Sequence, residues 1–255
     1  MTRILVISPH LDDAVLSYGG QLAQLADAGH QVSVYTVFAG TPTEPYSPGA
    51  MELHERWGIS GDPVAPRRRE DRRALSLLGV TPLHGPFLDA IYRKDDNGEW
   101  LIGEDVTPME YQGEESRLVA NIGFTLERRV VREFAPEWAV TCSAMGNHVD
   151  HRRTRDAAIT MAKRTGIPLL MWEDFPYVTW TDVIPELPAG TSVADAVAEP
   201  VSDAAWAVKS KAVQCYASQL PMLEDDGITL ATRYTDYQAK RGFADPHEVI
   251  RRINP

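Results

Sequence analysis

Five short apolar runs, separated by stretches of helical periodicity, constrain this chain more than any other feature. The runs are "RILVIS" (3–8), "QVSVYTVFAG" (31–40), "LHGPFLDA" (83–90), "EWAVTCSA" (137–144) and "IPLLMWEDF" (167–175). Their length and β-branched content mark them as strands. After the first run, Val15, Leu16, Leu22, Leu25 and Ala26 recur near i, i+3 and i+4, as on one face of a helix. Helical patterns also cover 67–80, 115–136 (closed by Pro136), 151–166 (closed by Gly166), 202–220 and 235–253. Residues 41–66 are rich in proline and glycine and read as a long loop. Residues 91–113 read as an irregular polar segment and 176–202 as loop-rich.

Strands alternating with helices build parallel βαβ units with helices on both faces of a sheet. The expected fold is therefore α/β, a Rossmann-like and mostly parallel sheet. Its core covers about 1–175, with a small helical and loop extension over 176–255. No internal repeat or composition shift divides the chain, so 1–255 reads as one domain.

Hydrophobic residues make up 44% and charged residues 24%, which suits a protein with a real core in water. The formal net charge of −11 speaks against nonspecific binding to nucleic acid or to an anionic membrane, since both need a basic surface. Cys142 and Cys215, the only cysteines, form neither a disulfide framework nor a thiolate zinc knuckle. The N-terminal "MTRILVISPHLDD" reaches acidic residues too soon for a signal peptide. No apolar run approaches the ~18 residues of a membrane span. These features point to a reducing, cytoplasmic setting.

"ISPHLDDAVLSYGG" (7–20) places His10, Asp12 and Asp13 where the first strand gives way to its helix. "GNHVDHRRTRDAA" (146–158) does the same after the fourth strand with His148, Asp150 and His151. In a doubly wound sheet ordered 3-2-1-4-5, strands 1 and 4 are neighbours, and ligands bind beyond their carboxyl ends. The two stretches should then share one crevice. Residues three apart on a first helical turn share a face. Two imidazoles and one carboxylate, with a position open to water, form a catalytic divalent-metal site that lowers the pKa of bound water to roughly 7. The surplus of Asp12, Asp150 and one histidine suits metal-assisted hydrolysis. Each motif alone reads more simply, as a helix N-cap or a solvated first turn. Two of them at adjacent strand ends favour chemistry.

"PHLDD" (9–13) resembles the P/A-H-P-D-D motif of the LmbE-like, or PIG-L, zinc deacetylases, and "HVDH" (148–151) resembles their H-P-D-H motif. "RRREDRRALSLLGV" (67–80) is similar to their Arg, Glu and Ala-rich helix. "FLDA" (87–90) falls at their Leu-x-Asp sugar contact, and "KAVQCYASQ" (211–219) looks like their Tyr-x-Ser-Gln helix. The resemblance implies a Rossmann-like metalloenzyme that removes acetyl groups from N-acetylglucosamine conjugates. It implies His10, Asp13 and His151 as ligands of one Zn²⁺ per chain, with Fe²⁺ as an alternative in vivo. It implies Asp12 as general base toward the activated water. His148 would stabilise the oxyanion or protonate the amine, with Asp150 tuning it. Arg67, or Arg68 in a shifted register, and Asp89 would hold sugar hydroxyls. The implied partner is a small amino-sugar conjugate, and a homo-oligomer is open. An amide of a thiol conjugate or an antibiotic intermediate is the near alternative.

Leu11 and Val149 replace the family's usual prolines, Ala14 a common glutamate, and none of these is an implied ligand. Gly146 stands where some members carry a tyrosine that assists the transition state, so that role is unfilled or met from elsewhere. The loops at 41–66 and 91–113 match nothing in the family and are expected to set substrate choice.

Other residues read as ordinary. His30 suits a helix C-terminus, His84 a satisfied edge position, and Trp57, Trp100, Trp172, Trp180 and Tyr216 suit packing. Among other classes, a two-histidine, one-carboxylate Fe(II) oxygenase needs a β-rich barrel. An aspartyl phosphatase needs Asp-x-Asp, whereas Asp12 is followed two residues later by Ala14. A nucleotide-binding module needs a glycine-rich phosphate loop, and Gly19-Gly20 comes too late. A non-catalytic metal binder leaves Asp12 and His148 without purpose.

Overall fold

β1 (Arg3–Ser8), buried at every residue after Arg3, runs through the middle of the sheet. In the computed structural model, which describes residues 1–58, 61–102, 107–110, 115, 117–224 and 227–255, β1 pairs in parallel with β2 (Gln31–Thr36) and β4 (Trp138–Cys142). β3 (Thr81–His84) extends the sheet beyond β2, and β5 (Leu169–Trp172) extends it beyond β4. The order β3-β2-β1-β4-β5 is the one that brings the two motif-bearing strand ends together.

Alternating residues of β1 feed opposite faces, as the two-residue period of a strand requires. Ile4 and Val6 pack under α1 (Asp13–Asp27), α3 (Val64–Leu77), α7 (Asp203–Val213) and α9 (Leu230–Lys240), with Leu22, Leu75, Ala212 and Tyr234. Leu5 and Ile7 pack under α4 (Leu118–Thr125) and α6 (Val149–Thr165), with Ile122, Ala158 and Met161. A π turn, Leu126–Val131, continues α4 into α5 (Arg132–Phe134), so the long helix expected there is one rod of changing pitch. A third cluster, with Leu11, Ala50, Ile91, Leu101 and Val149, lies beneath α2 (Pro48–Arg56). No helix among the described residues is long and apolar enough to cross a membrane.

Four segments differ from expectation, one of them the helix expected over 202–220, which ends at Val213. The span 41–66 contains α2, capped by Ser47 Oγ, which accepts from the Ala50 N–H at 3.0 Å. The third strand ends at His84, and 85–89 turn away toward the site. Gly40 permits that path, because a Cβ there would lie 2.3 Å from the Pro86 carbonyl oxygen. The helix expected over 235–253 stops at Lys240, and β8 (His247–Asn254) follows, antiparallel to β5. Val249, Ile250 and Ile253 mimic a helical stripe, yet pairing with β5, β6 (Ser192–Val193) and β7 (Val197–Pro200) buries them in a strand. The C-terminal region thus completes the sheet. Glu248 of β8 accepts from Lys209 Nζ (2.7 Å) and from the Gly20 and Gln21 N–H groups of α1. Losing one partner of such a buried pair costs about 3–5 kcal/mol. A short α8 (Leu220–Leu223) precedes α9. Of the expected loop segments, residues 59–60, 103–106 and 111–113 lie outside the described residues, as does 116 of the expected long helix.

Candidate active site

The backbone leaving β1 is pinned before any site residue appears. Ser8 Oγ donates to the His10 carbonyl (2.8 Å) and accepts from the Ala14 N–H (3.2 Å). Asp12 occupies the N-cap position of α1, but its carboxylate makes no capping hydrogen bond. It is buried and turned into a cleft instead, which removes the capping explanation for this acid. Asp13 Oδ2 accepts from the His10 N–H at 2.8 Å and lies 3.2 Å from His10 Nδ1.

Beyond β4 the chain makes a tight turn through left-handed Ala144, Gly146 and Asn147. His148 caps α6, its Nδ1 accepting from the Asp150 N–H (3.1 Å). In the neutral ring the proton therefore sits on Nε2. His151, one turn into α6, brings Nε2 to 3.3 Å from Asp13 Oδ2. That nitrogen is buried with no hydrogen-bond partner. Its other nitrogen, Nδ1, is held by Asp174 Oδ1 at 2.8 Å.

One atom each from His10, Asp13 and His151 thus lies within 4.8 Å of the other two. The fit to a divalent cation is direct: two imidazole nitrogens and a carboxylate oxygen converge, and one of the nitrogens is otherwise orphaned in a buried place. Each histidine is also backed by a second carboxylate, as metal-binding histidines usually are. His151 has Asp174. His10 has Asp150, whose Oδ2 lies 3.0 Å from His10 Nε2 and also accepts from the Ala90 N–H. The Asp150 carboxylate therefore holds His10 and also lies within 4.8 Å of a His148 ring nitrogen, where its charge works against the lowering of that imidazole.

The charges show the same demand for a cation. Burial opposes ionisation of His151, but Asp13 and Asp174 carry its pKa up to about 9. His10 is likewise raised against burial by Asp89, Asp13 and Asp150. Asp150 is lowered despite burial, chiefly by Arg93, whose Nη1 stands 2.7 Å from Oδ1. Burial and the Asp13 charge push the Asp12 carboxyl up to about 6, opposed by Arg67 and His10. His148 is lowered by burial and by the other two histidines.

Around this floor opens a cleft of about 430 Å³. Arg67 and Asp89 line it, 3.8 Å apart, and Asp89 Oδ2 lies 3.7 Å from His10 Nε2. Arg68 turns away to the Ala39 carbonyl, so of these two Arg67 is the one at the cleft, which Arg56 also lines. The wall is mainly apolar, with Leu53, Trp57, Ile102, Met109, Met222 and Leu223, beside Glu52 and Arg56. Arg67 stacks over Trp57 at 4.8 Å, which makes that tryptophan part of the site as well as packing. His84 is the satisfied histidine expected, 2.7 Å from Asp71.

Two supporting residues escaped sequence reasoning. Asp174 is one acid at the end of "IPLLMWEDF", and only its place at the end of the strand beside β4 marked it. Arg93 stands in a segment without periodicity; it pairs with Asp150 and, at 2.6 Å, with Glu115.

Residues 5–162 match the family model for PIG-L, GlcNAc-PI de-N-acetylase. Among solved structures, the zinc-inhibited form of the teicoplanin deacetylase Orf2 is 38% identical with a TM-score of 0.93, covering 99% of this chain and 98% of that one. The A40926 pseudoaglycone deacetylase Dbv21 is 38% identical with a TM-score of 0.86, covering 99% and 97%. A 2'-N-acetylparomamine deacetylase of Niallia circulans is 32% identical over 68% of this chain and 66% of its own length. A second such enzyme, from Streptomyces fradiae, is matched over 60% of its length, so the chain spans just under two thirds of these curated relatives. These relatives are deacetylases, and the open, mostly parallel sheet is not the barrel an Fe(II) oxygenase of this ligand set requires. With the two acid-histidine motifs meeting on one cleft floor, this chain belongs to the PIG-L family of de-N-acetylases.

Proposed function

We propose that this protein is a zinc-dependent N-deacetylase acting on a 2-acetamido sugar carried by a large apolar aglycone of the glycopeptide kind. The observation that carries the reading is the convergence of His10, Asp13 and His151 beside an Asp12 carboxylate that caps no helix. The apolar wall and the likeness to the teicoplanin and A40926 deacetylases along 99% of the chain support the aglycone.

His10, Asp13 and His151 would hold the metal. When bound, a divalent cation supplies Lewis acidity to an acyl carbonyl and to water. Asp12 takes the proton of the attacking water. Raised to about 6, it is ionised at neutral pH yet basic enough to accept. It then returns that proton to the departing nitrogen, so acetate and a free amine form without net proton loss from the site. His148 presents Nε2–H to the acyl oxygen, where negative charge grows. Arg67 and Asp89 offer one donor and one acceptor to sugar hydroxyls. Asp150 orients His10 through its carboxylate and tunes His148 through its nearby charge, while its backbone N–H holds His148 Nδ1.

The test is acetate release by the zinc-loaded protein from four substrates. They are free N-acetylglucosamine, an N-acetylglucosaminyl glycopeptide pseudoaglycone, a glycosyl-inositol and an N-acetylated aminoglycoside. Release should be fastest from the glycopeptide. Release from the inositol or aminoglycoside conjugate alone would move the aglycone assignment. Cleavage of a non-sugar amide, with none of the four yielding acetate, would end the sugar assignment.

A further inference from the structure

We infer that Tyr177 is a second hydrogen-bond donor to the acyl oxygen, standing with His148 at the reaction centre; the inference rests on the deacetylase reading above. Tyr177 opens the 3-10 turn Tyr177–Thr179, three residues beyond Asp174. Its place is fixed by the backbone around it. The Val178 N–H donates to the Asp174 carbonyl (2.8 Å), the Trp180 N–H to the Tyr177 carbonyl (2.9 Å), and the Phe175 N–H to Ser17 Oγ (3.0 Å). The ring stands edge-on to His151, with centroids 5.3 Å apart at 83°. It lines the same cleft as His10, Asp12, Asp13 and His148.

Gly146 is what admits the ring. A Cβ at that position would lie 2.3 Å from Tyr177 Cδ1 and 2.5 Å from Cγ, in a residue whose φ of +82° already disfavours a side chain. The turn before α6 therefore leaves its own side chain off, and the end of β5 delivers a phenol into the space. The hydroxyl is not among the buried polar atoms left without a partner, and the residue lines the cleft, so its O–H is open to a bound molecule. Here the cleft already carries acceptors on the protein side, the carboxylates of Asp12, Asp13 and Asp89. The complementary use of a donor is an acceptor brought by the substrate. Of the groups on an acetamido sugar, the amide oxygen is the acceptor whose charge grows during hydrolysis, so a donor aimed there strengthens as the reaction proceeds.

Tyr177→Phe in the full-length zinc-loaded protein keeps the ring and removes the O–H. Zinc content should be unchanged and KM should stay within about threefold, while kcat falls about 100-fold. A tetrahedral phosphonate analogue of the acetamide, measured by calorimetry without turnover, should lose affinity by a similar factor, while the acetamido sugar itself binds nearly as before. Gly146→Ala, which displaces the ring, should reproduce both losses, and adding Tyr177→Phe to it should change little more. A kcat within about twofold of wild type, with analogue affinity intact, overturns the inference. So does an effect confined to KM, or a loss of zinc, either of which makes Tyr177 a binding or packing group. If wild type turns over and Tyr177→Phe equals it, this inference alone fails. If wild type neither binds the analogue nor releases acetate, the deacetylase reading fails and this inference with it.

Discussion

On the cleft floor every acid and imidazole of the two motifs is buried and most are tied to a named neighbour: His10 to Asp150, His151 to Asp174, Asp150 to Arg93. On the wall, Leu53, Trp57, Met109, Met222 and Leu223 offer apolar surface from three separate segments. Among the described residues these segments are held by hydrogen bonds such as His54 to the Tyr92 hydroxyl, the Asn147 side-chain amide to the Met109 carbonyl and the Val149 N–H to the Pro108 carbonyl. The floor is preorganised polar chemistry that tolerates little displacement, because reacting groups must sit within tenths of an ångström of their working positions. The wall needs only shape and apolar area. Changes on the floor should act on metal content and kcat, and changes on the wall on KM.

The largest break in that comparison is His151→Ala. It removes a ligand from the buried trio, and the protein should emerge from chelator-free buffer without zinc and without turnover; retained full occupancy would take His151 out of the ligand set. Asp12→Asn comes next. It should keep its zinc and lose about 10³-fold in kcat, since proton acceptance is lost while the ligand atoms stay. Finding Asp12→Asn metal-free and Asp13→Ala metal-loaded would mean the two aspartates have been assigned in reverse. Asp174→Asn keeps the floor's ligands but weakens the support of His151. Zinc affinity, read by competition with a fluorescent chelator, should fall about 10–100-fold. On the wall, Leu223→Ala should raise KM for the glycopeptide about tenfold, the worth of one buried leucine side chain, and leave free N-acetylglucosamine untouched. Equal effects on both substrates would show that the wall serves the sugar.

The floor was legible from residue types and order because two motifs at adjacent strand ends can only meet one way in a doubly wound sheet. Its supports were not. Asp174 and Arg93 are single charged residues whose meaning depends on which histidine or acid lies across the cleft, and nothing local encodes that. The wall was opaque for another reason: α2 sits among Pro45, Pro48 and Gly49, whose breaking tendency outweighs the weak stripe of an eight- or nine-residue helix. β8 misled through periodicity itself, since Val249, Ile250 and Ile253 fit a helical face until the partner strands are known. Asp150 shows the same limit within the site. Its motif position marked it as a companion of His148, and the folded geometry adds His10, 3.0 Å from its Oδ2.

His10, Asp13 and His151 are proposed to hold one divalent metal, with the Asp12 carboxylate beside it. Anomalous diffraction at the zinc edge, from crystals of protein loaded with one equivalent of zinc, tests it most directly. A single strong peak is expected, bounded by His10 Nδ1, Asp13 Oδ2 and His151 Nε2, with the Asp12 carboxylate outside the ligand shell. A peak held instead by His148 and Asp150, or one with Asp12 as a ligand and Asp13 outside, would contradict it.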